Sequence, residues 1–228
     1  MTKQLHPLSA IFKLAVALAG TLALGFQAAD MGGFFKPEFL MFFTHLSNIA
    51  VAAYLWVAGA RELVRGECER GRWLPRVKHA LLLSINVTCL ISTFLLNGGG
   101  VFSGGTFHPT MLVLHYVVPI AFNADFFLFD EKGAMTREEP LVWTVFPLAY
   151  LAVIYFVVLV LGISPHQGDG GFTDMAESRF PYPFMDIDKL GVGGVAGMVV
   201  VLLVAFIAFG YVYVAIDHKL ARRGGEGK

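Results

Sequence analysis

Phe42-Phe43-Thr44-His45-Leu46-Ser47-Asn48 sets two hydroxyls, an imidazole and an amide inside a stretch otherwise apolar enough to lie in a bilayer. Thr44, Ser47 and Asn48 stand at i, i+3 and i+4, so a helix puts all three on one face. At membrane depth such groups turn toward other polar groups rather than lipid. The stretch therefore predicts a helix packed inside a bundle.

The rest of the chain fits that setting. Of 228 residues, 56% are hydrophobic and only 15% charged, with 21 Phe, a composition foreign to soluble domains. Six apolar segments approach the roughly twenty residues that cross a bilayer core: 9–28, 39–57, 79–96, 110–129, 142–161 and 192–216. The expected fold is all-α, a single domain over residues 1–228 built as a six-helix polytopic membrane bundle. Lys3 and Lys13 before an apolar run ending at Gln27-Ala28-Ala29 also fit a cleaved leader, but the segment is read as a retained helix.

Cytoplasmic loops collect Lys and Arg. Arg61, Arg65, Arg70, Arg72, Arg76 and Lys78 follow the second segment, Lys132 and Arg137 the fourth, and Lys219, Arg222, Arg223 and Lys228 end the chain. Lys36, Arg179 and Lys189 are left for the opposite side, so both termini are expected in the cytoplasm of a cell whose plasma or inner membrane holds the protein. A formal net charge of zero with basic residues confined to loops argues against a nucleic-acid partner. Cys68 and Cys89 do not form a disulfide framework by position. Gly98-Gly99-Gly100 and Gly104-Gly105 lack the Lys-Ser or Lys-Thr of a phosphate loop and read as a flexible connector. Gly193, Gly194 and Gly197 are expected to allow close helix packing.

With this topology the second segment enters from outside near Phe39 and the fourth near Thr110, placing Thr44 and His115 each about five residues, or roughly 8 Å, below the outer boundary. A single buried Thr ordinarily bonds back to a carbonyl one turn earlier, and a lone His can be a satisfied structural group. Together at one depth they form a candidate nucleophile and general base for ester chemistry. Asp125 lies ten residues, about 15 Å, deeper than His115 and cannot complete a triad, so a dyad is the simpler arrangement, with Asn123 and Asp125 left to packing or solvation at the cytoplasmic surface. His45 points about 100° away from Thr44 around the helix and is not taken automatically as the base. Candidates for oxyanion or substrate support are Ser47, Asn48, Thr93, Asn97, Tyr182 and Asp186, while Asn86 reads as an interhelical hydrogen-bonding group. His166, Asp169, Asp174 and Glu177 follow no compact ligand pattern, so no metal and no organic cofactor is implied. The stretch Phe180-Pro181-Tyr182-Pro183-Phe184-Met185-Asp186 is either an interfacial anchor or a partial lid over an outward-opening site.

Gly32-Gly33 with Lys36, the stretch from Phe42 to Asn48, Leu114-His115-Tyr116-Val117-Val118-Pro119 and Tyr182-Pro183-Phe184-Met185-Asp186 carry a resemblance spanning most of the chain. It resembles the androgen-induced protein and androgen-dependent TFPI-regulating protein family of six-helix membrane proteins, most closely its bacterial Pr-six-Pr relatives. That resemblance implies a threonine hydrolase acting on fatty acid esters of hydroxy fatty acids, with its catalytic Thr and His falling on Thr44 and His115. The chain departs from the animal pattern in extra residues between Lys36 and Thr44 and in the more polar Ser47-Asn48. The expected partners are the bilayer and a lipid-like ester. Two other readings stay open: a transporter or channel whose polar stripe continues past Asn86 to Asn123 and Asp125, and a lipid-binding protein without turnover.

Overall fold

A computed structural model describes residues 2–96, 101–103, 106–165 and 178–226. Asn97, His166, Asp169, Asp174 and Glu177 lie outside the described residues. The helices are α1 (Thr2–Asp30), α2 (Pro37–Leu40), α3 (Phe43–Arg65), α4 (Pro75–Phe94), α5 (Pro109–Leu112), α6 (Val118–Phe129), α7 (Glu139–Val142), α8 (Val145–Leu159) and α9 (Ile187–Glu226). A π-helical turn, Val113–Val117, joins α5 to α6, and a 3₁₀ turn, Pro183–Met185, precedes α9. Within the glycine-rich connector, Phe102–Ser103 pairs antiparallel with Thr106–Phe107. The other described elements are helix and loop, an all-α polytopic membrane bundle.

Among the described residues, five helical stretches are long and apolar enough to cross a bilayer: Pro7–Asp30, Pro75–Phe94, Pro109–Phe129, Glu139–Leu159 and Ile187–Arg223. The 23-residue α3 is the sixth long helix, and its polar residues Thr44, His45, Ser47, Asn48 and Glu62 are buried in the bundle. It begins at Phe43 rather than 39 because Phe42 is extended (φ −90°, ψ 126°) and residues 37–40 form the separate α2. α1 packs most closely against α3, a fit that depends on Gly59, where a Cβ would stand 2.8 Å from Leu14 Cγ. Small residues at such crossings let membrane helices approach by dispersion contact.

Gly193, Gly194 and Gly197 do not serve that purpose: all three are exposed, and Cβ atoms at Gly193 and Gly197 would meet open space. The close approach on α9 is at Gly210, where a Cβ would stand 2.9 Å from Pro140 Cβ. α9 is broken at Gly191, whose φ of 67° and ψ of 165° demand glycine. Asp186 caps its first turn, Oδ1 accepting the N–H groups of Asp188 (2.9 Å) and Lys189 (3.2 Å).

At the end of the bundle away from Thr44, four helices bring charges into the interior. Lys13 Nζ lies 2.9 Å from Asp125 Oδ1 and 3.4 Å from Glu62 Oε1, and Lys78 Nζ lies 2.5 Å from Asp125 Oδ2 and 2.6 Å from Asp130 Oδ1. Asp125 is therefore neither solvated nor at a water surface, being 1% exposed. The two ammonium groups each share acidic partners, which offsets a desolvation cost that an isolated charge could not bear. Lys13 and Lys78, counted above among the flanking charges, are thus structural.

Candidate active site

Thr44 occupies the first turn of α3, and His115 the centre of the π-helical turn. Their side chains meet: Thr44 Oγ1 lies 3.1 Å from His115 Nε2, with both residues buried. His115 Nδ1 lies 3.1 Å from the Met111 carbonyl oxygen. A carbonyl can only accept, so Nδ1 carries the proton and Nε2 presents its lone pair, to which the Thr44 hydroxyl donates. No carboxylate is needed to fix the tautomer.

The π-helical turn that presents His115 leaves one carbonyl to be satisfied from outside it. The Val118 N–H bonds to the Val113 carbonyl, five residues back. In that register the next donor, for the Leu114 carbonyl, would come from residue 119, which is proline and has no N–H. Asn48 fills the gap: Nδ2 donates to the Leu114 oxygen at 3.0 Å and to the Thr44 oxygen at 2.8 Å. One amide therefore ties the backbone of the Thr-bearing helix to the backbone of the His-bearing turn. Such π-turns occur often at functional sites.

Ser47 also supports the backbone rather than an oxyanion. Its Oγ donates to the Thr44 carbonyl at 3.1 Å and lies 2.8 Å from Thr88 Oγ1. Thr93 is turned away, exposed, with its hydroxyl bonded to the Cys89 carbonyl at 2.7 Å. Asp186 is engaged in capping α9 and in accepting the Ser178 hydroxyl at 2.8 Å. His45 donates Nδ1–H to the Phe39 carbonyl at 2.6 Å and stacks on the Phe39 ring, which ties α2 to α3. Among the described support candidates, Tyr182 alone meets the Thr44 N–H: its hydroxyl accepts it at 3.5 Å. Burial pushes the Tyr182 phenol up, so it stays protonated. The segment carrying it is inserted into the bundle, with Phe180, Tyr182 and Met185 buried, rather than lying out at an interface.

The pair opens on a cavity of about 90 Å³ between α3, α4, α8, α9 and the Tyr182 segment. Among the described residues its lining is apolar apart from Thr44, Thr88, Ser92, His115, Tyr150 and Tyr182. Tyr150 was not singled out by sequence; its hydroxyl donates to the Met41 carbonyl at 2.7 Å and holds the entry to α3. Below the pair, Val51 and Leu55 on α3 and Val118 and Phe122 on α6 belong to one packed core and are at most 1% exposed. Asn86 and Asn123 exchange amide hydrogen bonds at 3.2 and 3.0 Å, and Tyr213 bonds to both, which bridges α4, α6 and α9. These groups satisfy one another. No family model, no curated protein and no solved structure matches the chain.

Proposed function

We propose that the protein is an integral membrane hydrolase of lipid esters, with Thr44 as nucleophile and His115 as its base and acid. The observation that carries this reading is the 3.1 Å contact from Thr44 Oγ1 to an imidazole nitrogen whose lone pair is fixed by the Met111 carbonyl. His115 Nε2 takes the hydroxyl proton as Oγ1 attacks the ester carbonyl. The oxyanion forms at the N-terminus of α3, beside the Tyr182 hydroxyl and the positive end of the helix. Collapse expels the alcohol, which takes the proton from Nε2, leaving an acyl-threonine ester. Water then attacks with His115 again as base, releasing the fatty acid and restoring Thr44.

The basic connections and the C-terminal arginines support placing both termini in the cytoplasm of a plasma or inner membrane, with the site toward the outer leaflet. The resemblance noted above supports fatty acid esters of hydroxy fatty acids as one substrate. The apolar layer of Val51, Leu55, Val118 and Phe122 counts against a conduction path from His115 to Asp125. The test is hydrolysis of a branched fatty ester by purified protein in lipid nanodiscs. Thr44→Ala and His115→Ala are each expected to lose at least 100-fold in kcat/KM, and equal turnover by wild type and Thr44→Ala overturns the reading.

A further inference from the structure

We infer that the cavity houses the acyl arm of the ester, that this arm enters sideways from the bilayer between α8 and α9, and that it must be uncharged. The inference rests on the hydrolase reading and names its substrate class. The arm left attached to Thr44 after the alcohol departs is the acyl arm, and the space beside Thr44 is walled by Val87, Ile91, Leu151, Leu202 and Phe206. Among the described residues, no Asp, Glu, Lys or Arg lines it. Three of its polar groups away from the pair are already committed, Thr88 to Ser47, Ser92 to the Cys89 carbonyl and Tyr150 to the Met41 carbonyl. An ionised group there would lose its hydration and gain no partner.

The direction of entry follows from how the helices pack. Close backbone contact joins α1 to α3, α3 to α4 and α1 to α6, whereas among the described residues it is sparse around α8, toward α9 as elsewhere. On the α8 wall of the cavity Leu148 is 39% exposed, and on the α9 wall Val199, Leu202 and Leu203 are half-buried. Their neighbours Val153, Phe156, Val200 and Val204 continue the apolar surface outward. A cavity of about 90 Å³ takes the ester and the first carbons of the chain, so a longer chain runs out through this gap into lipid.

Three p-nitrophenyl esters matched in acyl length, presented at equal surface fraction in mixed micelles, test the charge rule: one ending in methyl, one in an ω-carboxylate, one in the neutral ω-methyl ester. Nitrophenol release is expected to be at least tenfold slower in kcat/KM for the ω-carboxylate, with the ω-methyl ester restored to within threefold of the plain chain. Equal rates for the charged and uncharged chains, with hydrolysis still dependent on Thr44, overturn the inference and leave the hydrolase reading standing. Absence of any Thr44-dependent release overturns both. Val200→Trp, outside the cavity lining on the α9 side of the gap, is expected to slow long-chain esters at least tenfold while sparing the acetyl ester. An equal loss on both, or no loss on either, overturns lateral entry.

Discussion

Asn48 donates its side-chain amide to the Leu114 carbonyl at 3.0 Å, supplying the hydrogen bond that Pro119 cannot. The same nitrogen holds the Thr44 carbonyl, so the register between nucleophile and base rests on one residue. Asn48→Leu strands the buried Leu114 carbonyl, a loss of about 1–3 kcal/mol, while the Thr44 carbonyl keeps the Ser47 hydroxyl. We expect kcat to fall at least tenfold with a smaller change in KM. Pro119→Ala restores a backbone N–H near Leu114, and the double variant should recover part of the loss in a double-mutant cycle of stability and kcat.

Tyr182→Phe keeps the ring stacked on Phe184, whose centroid lies 5.3 Å away, and removes only the hydroxyl. Loss of one oxyanion donor typically costs about 10²–10³ in kcat. A fall of that order is expected, with a small loss of thermal stability from the Thr44 N–H left without its acceptor. Wild-type kcat in this variant would remove Tyr182 from the chemistry.

Lys78→Met leaves Asp125 and Asp130 short of a cation in the interior. Breaking a buried pair on one side costs about 3–5 kcal/mol. Thermal unfolding in detergent should drop sharply. Lys78→Met with Asp130→Asn removes opposite charges together and should recover much of the stability.

Gly59→Val drives a side chain into Leu14 and the α1–α3 contact. Overpacking of this kind costs about 1–3 kcal/mol. Gly193→Val, facing open space, should change stability little, and the contrast is read from the two unfolding curves.

Hydrophobic runs located the long helices because every crossing needs a stretch of lipid-compatible residues, and equal depth along two inward helices put Thr44 and His115 together before any contact was visible. Depth says nothing of rotation about a helix axis, which is why Thr93 was grouped with the pair and in fact faces outward. Asn48 and Ser47 were read as donors to substrate because their share of the Thr44 face was legible, whereas the carbonyls that occupy them were not. Pro119, four residues after His115, was the available signal for the freed Leu114 carbonyl. The buried cluster is not legible in the sequence because positive charges near helix ends ordinarily mark a membrane surface, and only the packed helices bring Lys13 and Lys78 to Asp125.

The most direct measurement is intact-mass and peptide-level spectrometry of the protein treated with a long-chain fluorophosphonate, in wild type and in Thr44→Val. The account predicts one phosphonyl adduct on the peptide containing Thr44, absent from the variant and reduced in His115→Ala. An adduct of equal yield in Thr44→Val, or one mapped to another residue, would contradict it.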